Sequence, residues 1–179
     1  AVARARVTSN SPRVQAQVMT FTNFKVLWMN AYLPCDPQLQ HFDDTELIAT
    51  LSEVERIVTI FSDCEVVWAA DMNYDTRRDN HFTRTVGLAL QRMGLTSLWE
   101  GRNVDHTHMS IVHTDGVKTS IIDHFLVSHP LLGLVEDCGP VHRGDNLSRH
   151  SPILFSLRLG ELPRRPVAVH CPATAAADA

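Results

Sequence analysis

Arg13 to Phe21 alternates between apolar and polar positions, with Val14, Ala16 and Val18 on one face. After Thr22-Asn23, the stretch Lys25 to Leu33 (KVLWMNAYL) is rich in strand formers. Two such runs joined by a short polar turn predict an antiparallel hairpin, and Pro34, Asp36 and Pro37 end its second strand. Asp43-Asp44-Thr45 offers helix N-caps, and acidic residues suit a helix N-terminus. Leu47, Ile48, Leu51, Val54, Ile57, Val58 and Phe61 then recur at helical spacing, which predicts an amphipathic helix of about four turns. Glu65 to Ala70 is a short apolar run consistent with a buried central strand. A second helix is predicted from Asn80 to Met93, stopped by Gly94, and Leu95 to Trp99 leads into a loop.

Further on, His106 to Val112 and Lys118 to Val127 flank Thr114-Asp115-Gly116, a strong hairpin signal. Val135 to Val141 and Ser151 to Leu159 read as strands, with Gly144-Asp145-Asn146 as a turn between them. Residues 161–179, rich in Pro and Ala, show no periodicity and read as a disordered tail or linker. The mixture of helices with mostly hairpin-connected strands points to an α+β domain over residues 13–160. Residues 1–12 stand before it as an edge.

The chain has 179 residues, which favours one domain and suffices for a sizeable core without staples. Its net charge of −4 disfavours a protein that coats nucleic acid. It leaves open a nuclease, which needs only a local positive groove and a metal. No apolar run approaches the ~20 residues of a membrane span. The four cysteines show no C-x-x-C pair, so a zinc ribbon is not expected. With no signal peptide visible, they read as reduced thiols of an intracellular protein.

Five places carry candidate chemistry. Asp71, directly after the buried strand, would be held rigidly at its tip, with Asn73 beside it able to donate to a phosphate; the bland alternative is a strand-ending Asx turn. Asp123 interrupts an apolar alternation, which is costly unless the carboxylate is paired or faces solvent from an edge strand. His150, in the loop Ser148 to Pro152, is either an ordinary loop histidine or a general base with Asp123 as its partner. Tyr32 ends a strand, where its phenol either reaches a phosphate or is half-buried. His106-Thr107-His108 with His113 reads either as a zinc cluster, though no further ligand lies at a familiar spacing, or as residues lining a loop near a polar groove.

Taken in order, these segments resemble a known family. Ala31-Tyr32-Leu33-Pro34 precedes Ala70-Asp71-Met72-Asn73, then Arg77-Arg78, Met93-Gly94-Leu95, Thr107, Ser120-Ile121-Ile122-Asp123-His124-Phe125 and Asn146 to Pro152. The sequence is similar to the endonuclease/exonuclease/phosphatase family, above all to the apurinic-type endonuclease domains of non-LTR (LINE-like) retrotransposons. The resemblance implies a four-layer α/β sandwich, two packed mixed sheets with helices outside, present here in part. It implies Mg²⁺-dependent cleavage of a DNA phosphodiester, a nuclear setting, and a reverse transcriptase domain in the parent protein. It also assigns Asp71 and Asn73 to the water, leaving group and phosphate, pairs Asp123 with His150, and places Tyr32 on the phosphate.

Two departures temper those expectations. The family's early N-x-x-G asparagine and Q-E glutamate, the latter its principal metal ligand, have no counterpart upstream of Arg13, so the chain reads as the later two-thirds of the domain. Arg149 stands where the family's S-D-H motif has an aspartate. A fixed cation about 4 Å from the metal would repel it by about 4 kcal/mol per unit charge at an effective dielectric near 20. No metal ligand is therefore assigned, and a truncated, inactive copy is one expected outcome. The alternatives are a non-catalytic binding module of the same fold and another phosphodiesterase or phosphatase branch.

Overall fold

The computed structural model describes residues 2–35, 44–112, 116–142 and 148–158. Its first strand, β1 (Ala3–Val7), pairs antiparallel with β2 (Val14–Thr20), which pairs antiparallel with β3 (Lys25–Tyr32). The β2–β3 hairpin is the one the alternation predicts. β1 was not anticipated, because Ala3 to Val7 is exposed over four of its five positions and shows no buried face.

After β3 comes α1 (Thr45–Ile60), then β4 (Glu65–Asp71), which runs parallel to β3. The sequence suggested hairpins almost throughout; here a helical crossover returns the chain in the same direction. Leu47, Leu51, Val54 and Ile57 of α1 are buried, whereas Ile48, expected on the same face, is exposed. Asp44 occupies the N-cap but makes no side-chain capping bond; its carboxylate lies 3.3 Å from His81 Nε2 instead.

The second helix, α2 (His81–Met93), has the predicted caps. The Asn80 side chain accepts from the Thr83 amide, and Gly94 closes the helix with a left-handed φ of 64°, a conformation that costs a non-glycine residue. β5 (Leu95–Ser97), β6 (His108–Val112), β7 (Gly116–Ser120), β8 (Asp123–Ser128), the short α3 (His129–Leu132), β9 (Val135–Pro140) and β10 (Ile153–Leu157) follow. The loop expected after Gly94 thus begins as a short strand on β8.

The strand expected over Lys118 to Val127 is two strands in two sheets. β7 pairs with β6, while β8 leaves to pair antiparallel with β4. The break has a visible cause. The Ile121 amide donates to Asp75 Oδ2, and the Ile122 and Asp123 amides both donate to Thr107 Oγ1, so side chains replace the ladder between the strands.

The main sheet has the order β1-β2-β3-β4-β8-β5, with β9–β10 and β6–β7 as two-stranded sheets. One face packs against α1 and α2 through Leu27, Met29, Val66, Trp68 and Leu126. The other buries Val26, Val67, Phe125 and Val127 against Leu98, Trp99, Leu131 and the inner side of β9–β10. The result is an α+β sandwich in which the second sheet is much the smaller. Among the described residues no helix is long and apolar enough to cross a membrane. Asp36, Pro37, Asp43, His113, the turns at Thr114-Asp115 and Gly144 to Asn146, and the tail at 161–179 lie outside the described residues.

Glu53 ties the loop before β2 to α1. It is 7% exposed, is bridged by Arg56 at 2.8 Å, and accepts from the Asn10 amide and the Ser9 hydroxyl. Arg56 first, opposed by burial and assisted by Asn10 and Ser9, lowers its pKa from 4.5 to about 2. A depressed carboxylate stabilises the fold above its unfolded pKa, and that contribution disappears as pH falls from 4.5 toward 2. Glu53→Gln should therefore cost on the order of 2 kcal/mol at neutral pH and little near the acid end. Urea unfolding across that range checks it; an equal loss at both ends would show that the charge is irrelevant.

Candidate active site

The site is built across three neighbouring strands. In the parallel β3–β4 register Tyr32 pairs with Asp71, and in the antiparallel β4–β8 register Asp71 pairs with Asp123. Paired residues project to the same face. A tyrosine and two carboxylates therefore form one row at the end of the sheet, on the face opposite α1 and α2. Asp123 sits not inside a strand, as its sequence neighbours suggested, but at the first position of β8.

His150 completes the row from a distant segment. It bridges His108, and its Nδ1 lies 3.0 and 3.1 Å from the two Asp123 carboxylate oxygens. An N–H pointed at a carboxylate fixes the tautomer and the orientation of the ring. The side chain is 39% exposed. The expected Asp123–His150 pair is thus present.

The Asx turn offered as the bland reading of Asp71 is present. Its Oδ1 accepts from the Asn73 amide at 3.2 Å, an Asx turn, with Asn73 at a φ of 49°. The Asn73 side-chain amide donates to the Leu33 carbonyl at 2.9 Å, locking the ends of β3 and β4 together. Asp71 is half-buried, and burial, followed by the facing Asp123 carboxylate, raises its pKa; the Asn73 amide and His150 act the other way. A carboxylate so raised is suited to exchanging protons.

Tyr32 is 43% exposed, with the Arg13 guanidinium over its ring at 5.1 Å. Its hydroxyl lies 3.6 Å from Cys35 Sγ, an interaction that, with burial, raises the phenol's pKa. Arg149 is exposed, and its backbone carbonyl accepts from Met109. Asp123 and His150 are among the charges acting on Asp71, and Arg149 acts on the neighbouring His108.

Several supporting residues were not legible as such. Thr107 is wholly buried: its hydroxyl receives the Ile122 and Asp123 amides, and its carbonyl receives the Ser151 amide. One residue thereby holds both halves of the Asp123–His150 pair. Asp75, buried, grips Arg77 and the Ile121 amide. Burial pushes its pKa up, but Arg77 and the backbone donors outweigh this and hold it below the usual value. His124 is buried on the helix-facing side, where Nε2 meets the Tyr74 and Ile121 carbonyls and Nδ1 meets the Ser97 hydroxyl. Burial first of all lowers its pKa, so it serves as a neutral strut. His108 packs against His150 with ring centroids 4.6 Å apart, and burial, then His150, lowers its pKa. The strand alternation that sets His124 opposite Asp123 was the available signal for the strut.

No family model matches the sequence, and no curated protein matches it either. Solved structures do match the fold. The endonuclease domain of TRAS1, a telomere-specific non-LTR retrotransposon, superposes with a TM-score of 0.67 at 14% identity, covering 88% of this chain and 69% of that one. This is the endonuclease/exonuclease/phosphatase fold. A second example is the 3′ phosphatase NExo from Neisseria bound to a product DNA hairpin, with a TM-score of 0.62, 16% identity and coverage of 83% and 66%. The AP endonuclease LMAP from Leishmania major gives a TM-score of 0.61 at 17% identity, with 86% of this chain covered and 55% of that one. The chain thus spans between about half and about two-thirds of the length of these proteins. The row Tyr32–Asp71–Asp123 with His150 lies on this sheet framework.

The donor set fits a divalent cation. Asp71, Asp123 and His150 each offer one ligand atom, all within 4.8 Å of one another. Two facing carboxylates, the Asp71 pKa raised first by burial and then by Asp123, suit a hard cation that takes one or two carboxylates plus substrate oxygens. The imidazole is engaged by Asp123 and contributes less.

Proposed function

We propose that this chain is the catalytic portion of a DNA phosphodiesterase of the retrotransposon endonuclease type. The observation that carries the reading is the Asp123–His150 pair beside Asp71, assembled from three segments at the end of one sheet. Asp71 and Asp123 would hold Mg²⁺, which when bound supplies positive charge for a phosphate oxygen.

The chain's own residues do the remaining work. Asp71 is placed to orient the attacking water, or the leaving oxygen, against the phosphorus. His150, oriented by Asp123, faces the phosphate with Nε2 and donates a hydrogen bond when protonated. Tyr32, at the exposed end of the row, is placed to donate its phenolic hydrogen to a phosphate oxygen. Asn73 holds β3 and β4 in register, and its side chain opposes the rise in the Tyr32 pKa.

The test is nicking of supercoiled plasmid by the purified chain in Mg²⁺. The expected product is an open circle whose 3′ ends prime a DNA polymerase without prior treatment, and EDTA should stop the reaction. Ends that prime only after phosphatase treatment would contradict the proposed bond cleavage. A second reading, a non-catalytic DNA-binding module, draws on Arg149, an exposed cation directly beside His150. It predicts DNA retention without nicking. A reverse transcriptase partner and a nuclear setting belong to the first reading.

A further inference from the structure

The two histidines that the sequence offered as half of a zinc cluster do not act together. His108 turns to Ser120 and His150. His106 meets another imidazole: its ring stacks on His142 with centroids 4.4 Å apart and 26° between planes. Asp105, His106 and His142 each offer one ligand atom, and these atoms lie within 4.8 Å of one another.

Two details point to a ligand rather than to a packed pair. His106 Nδ1 is buried and lacks a hydrogen-bond partner among the described residues, although Asp105 Oδ2 is only 2.9 Å away. The carboxylate thus stands beside the nitrogen without accepting a hydrogen from it, an arrangement that an ion shared by both atoms would satisfy. His142 Nδ1 meets the Ser151 hydroxyl at 3.0 Å. A hydrogen bond on one ring nitrogen sets the tautomer and presents the other to a metal.

The donors are two imidazoles and one carboxylate. Mg²⁺ and Ca²⁺ favour oxygen, whereas Zn²⁺ favours this set in a tetrahedron whose fourth position takes water. We propose that Asp105, His106 and His142 form a second cation site, for Zn²⁺ or a chemically similar transition metal, separate from the Asp71–Asp123–His150 cluster. The ion clamps the segment before β6 to the residues that follow β9. Thr107 follows His106 directly, and Ser151, which holds His142, follows His150. The clamp therefore stiffens the backbone that carries the candidate dyad.

The test uses the full chain, stripped of metal and titrated with Co²⁺ and then Zn²⁺ in the absence of DNA. One equivalent of Co²⁺ should bind with tetrahedral d–d absorption and no sulfur-to-cobalt charge transfer, and Zn²⁺ should displace it while Mg²⁺ does not. His106→Gln and His142→Gln should each weaken binding by at least about tenfold, while Asp71→Asn leaves it unchanged. Circular dichroism reports whether the variants fold. Asp105→Asn alters a side chain that is 79% exposed and provides a fold-neutral second probe that should also weaken binding. Absence of binding, thiolate bands, unchanged affinity in the histidine variants, or loss in Asp71→Asn would each overturn the site. The readout is independent of nicking, so it stands or falls separately from the nuclease reading.

Discussion

His150→Ala should lower the rate of plasmid nicking by at least about a hundredfold, the usual range for a positioned acid–base group, and Asp71→Asn should do the same. His150 projects from a loop with its side chain 39% exposed, so its removal leaves the core intact and the melting temperature nearly unchanged. Asp123→Ala should cost nearly as much as His150→Ala, and the double variant little more than either, because the two act as one unit. Additive losses would show that the Asp123–His150 contact is not used in catalysis.

Asp71→Asn has a second signature. Burial and Asp123 raise the Asp71 pKa above its ordinary 3.8. The folded state therefore binds this proton more tightly than the unfolded chain, and the ionised form costs stability. That cost is absent below the unfolded pKa and complete once pH has risen through the folded one. Asn keeps an oxygen for the Asn73 amide but carries no charge. The variant should be as stable as the parent or more stable at neutral pH, with no gain below about pH 4. A nicking-deficient Asp71→Asn protein that is less stable at neutral pH would argue for a structural role.

Thr107→Val should be the most destabilising change of a single hydroxyl. The two side chains have nearly the same shape, but valine accepts no hydrogen bond. The Ile122 and Asp123 amides, which donate to Oγ1 at 2.9 and 3.0 Å, would both be left without a partner. Each orphaned buried donor costs about 1–3 kcal/mol, so a loss of roughly 2–5 kcal/mol is expected in urea unfolding. Thr107→Ser keeps the oxygen and should recover most of it. Because the same residue sets the start of β8, Thr107→Val should also lower kcat for nicking more than it raises KM. Equal stabilities of the valine and serine variants would remove the hydroxyl from the account.

Much of this was legible along the chain because it is local. The spacing of Leu47, Leu51, Val54 and Ile57 buries one face of a helix wherever that helix is packed. Asn80 and Gly94 punctuate α2 through bonds within a few residues, and Glu65 to Ala70 is apolar because both faces of β4 are covered. The order of motifs around Asp71, Asp123 and His150 pointed to a shared fold, which the structural matches bear out.

Other features lie between segments, where periodicity carries no information. Whether Asp123 faced solvent from an edge or met another carboxylate depended on the β4–β8 register, set by strands about fifty residues apart. The change of sheet between Ser120 and Asp123 was hidden because Asp75 and Thr107, far along the chain, supply the acceptors that end one ladder and start the next. His106 and His108 looked like partners because they are neighbours in sequence; their surroundings send one to His142 and the other to His150. Side-chain alternation and capping act within a few bonds and can be read from a string of residues. Hydrogen bonds across a fold depend on which segments approach each other, and only the folded chain decides that.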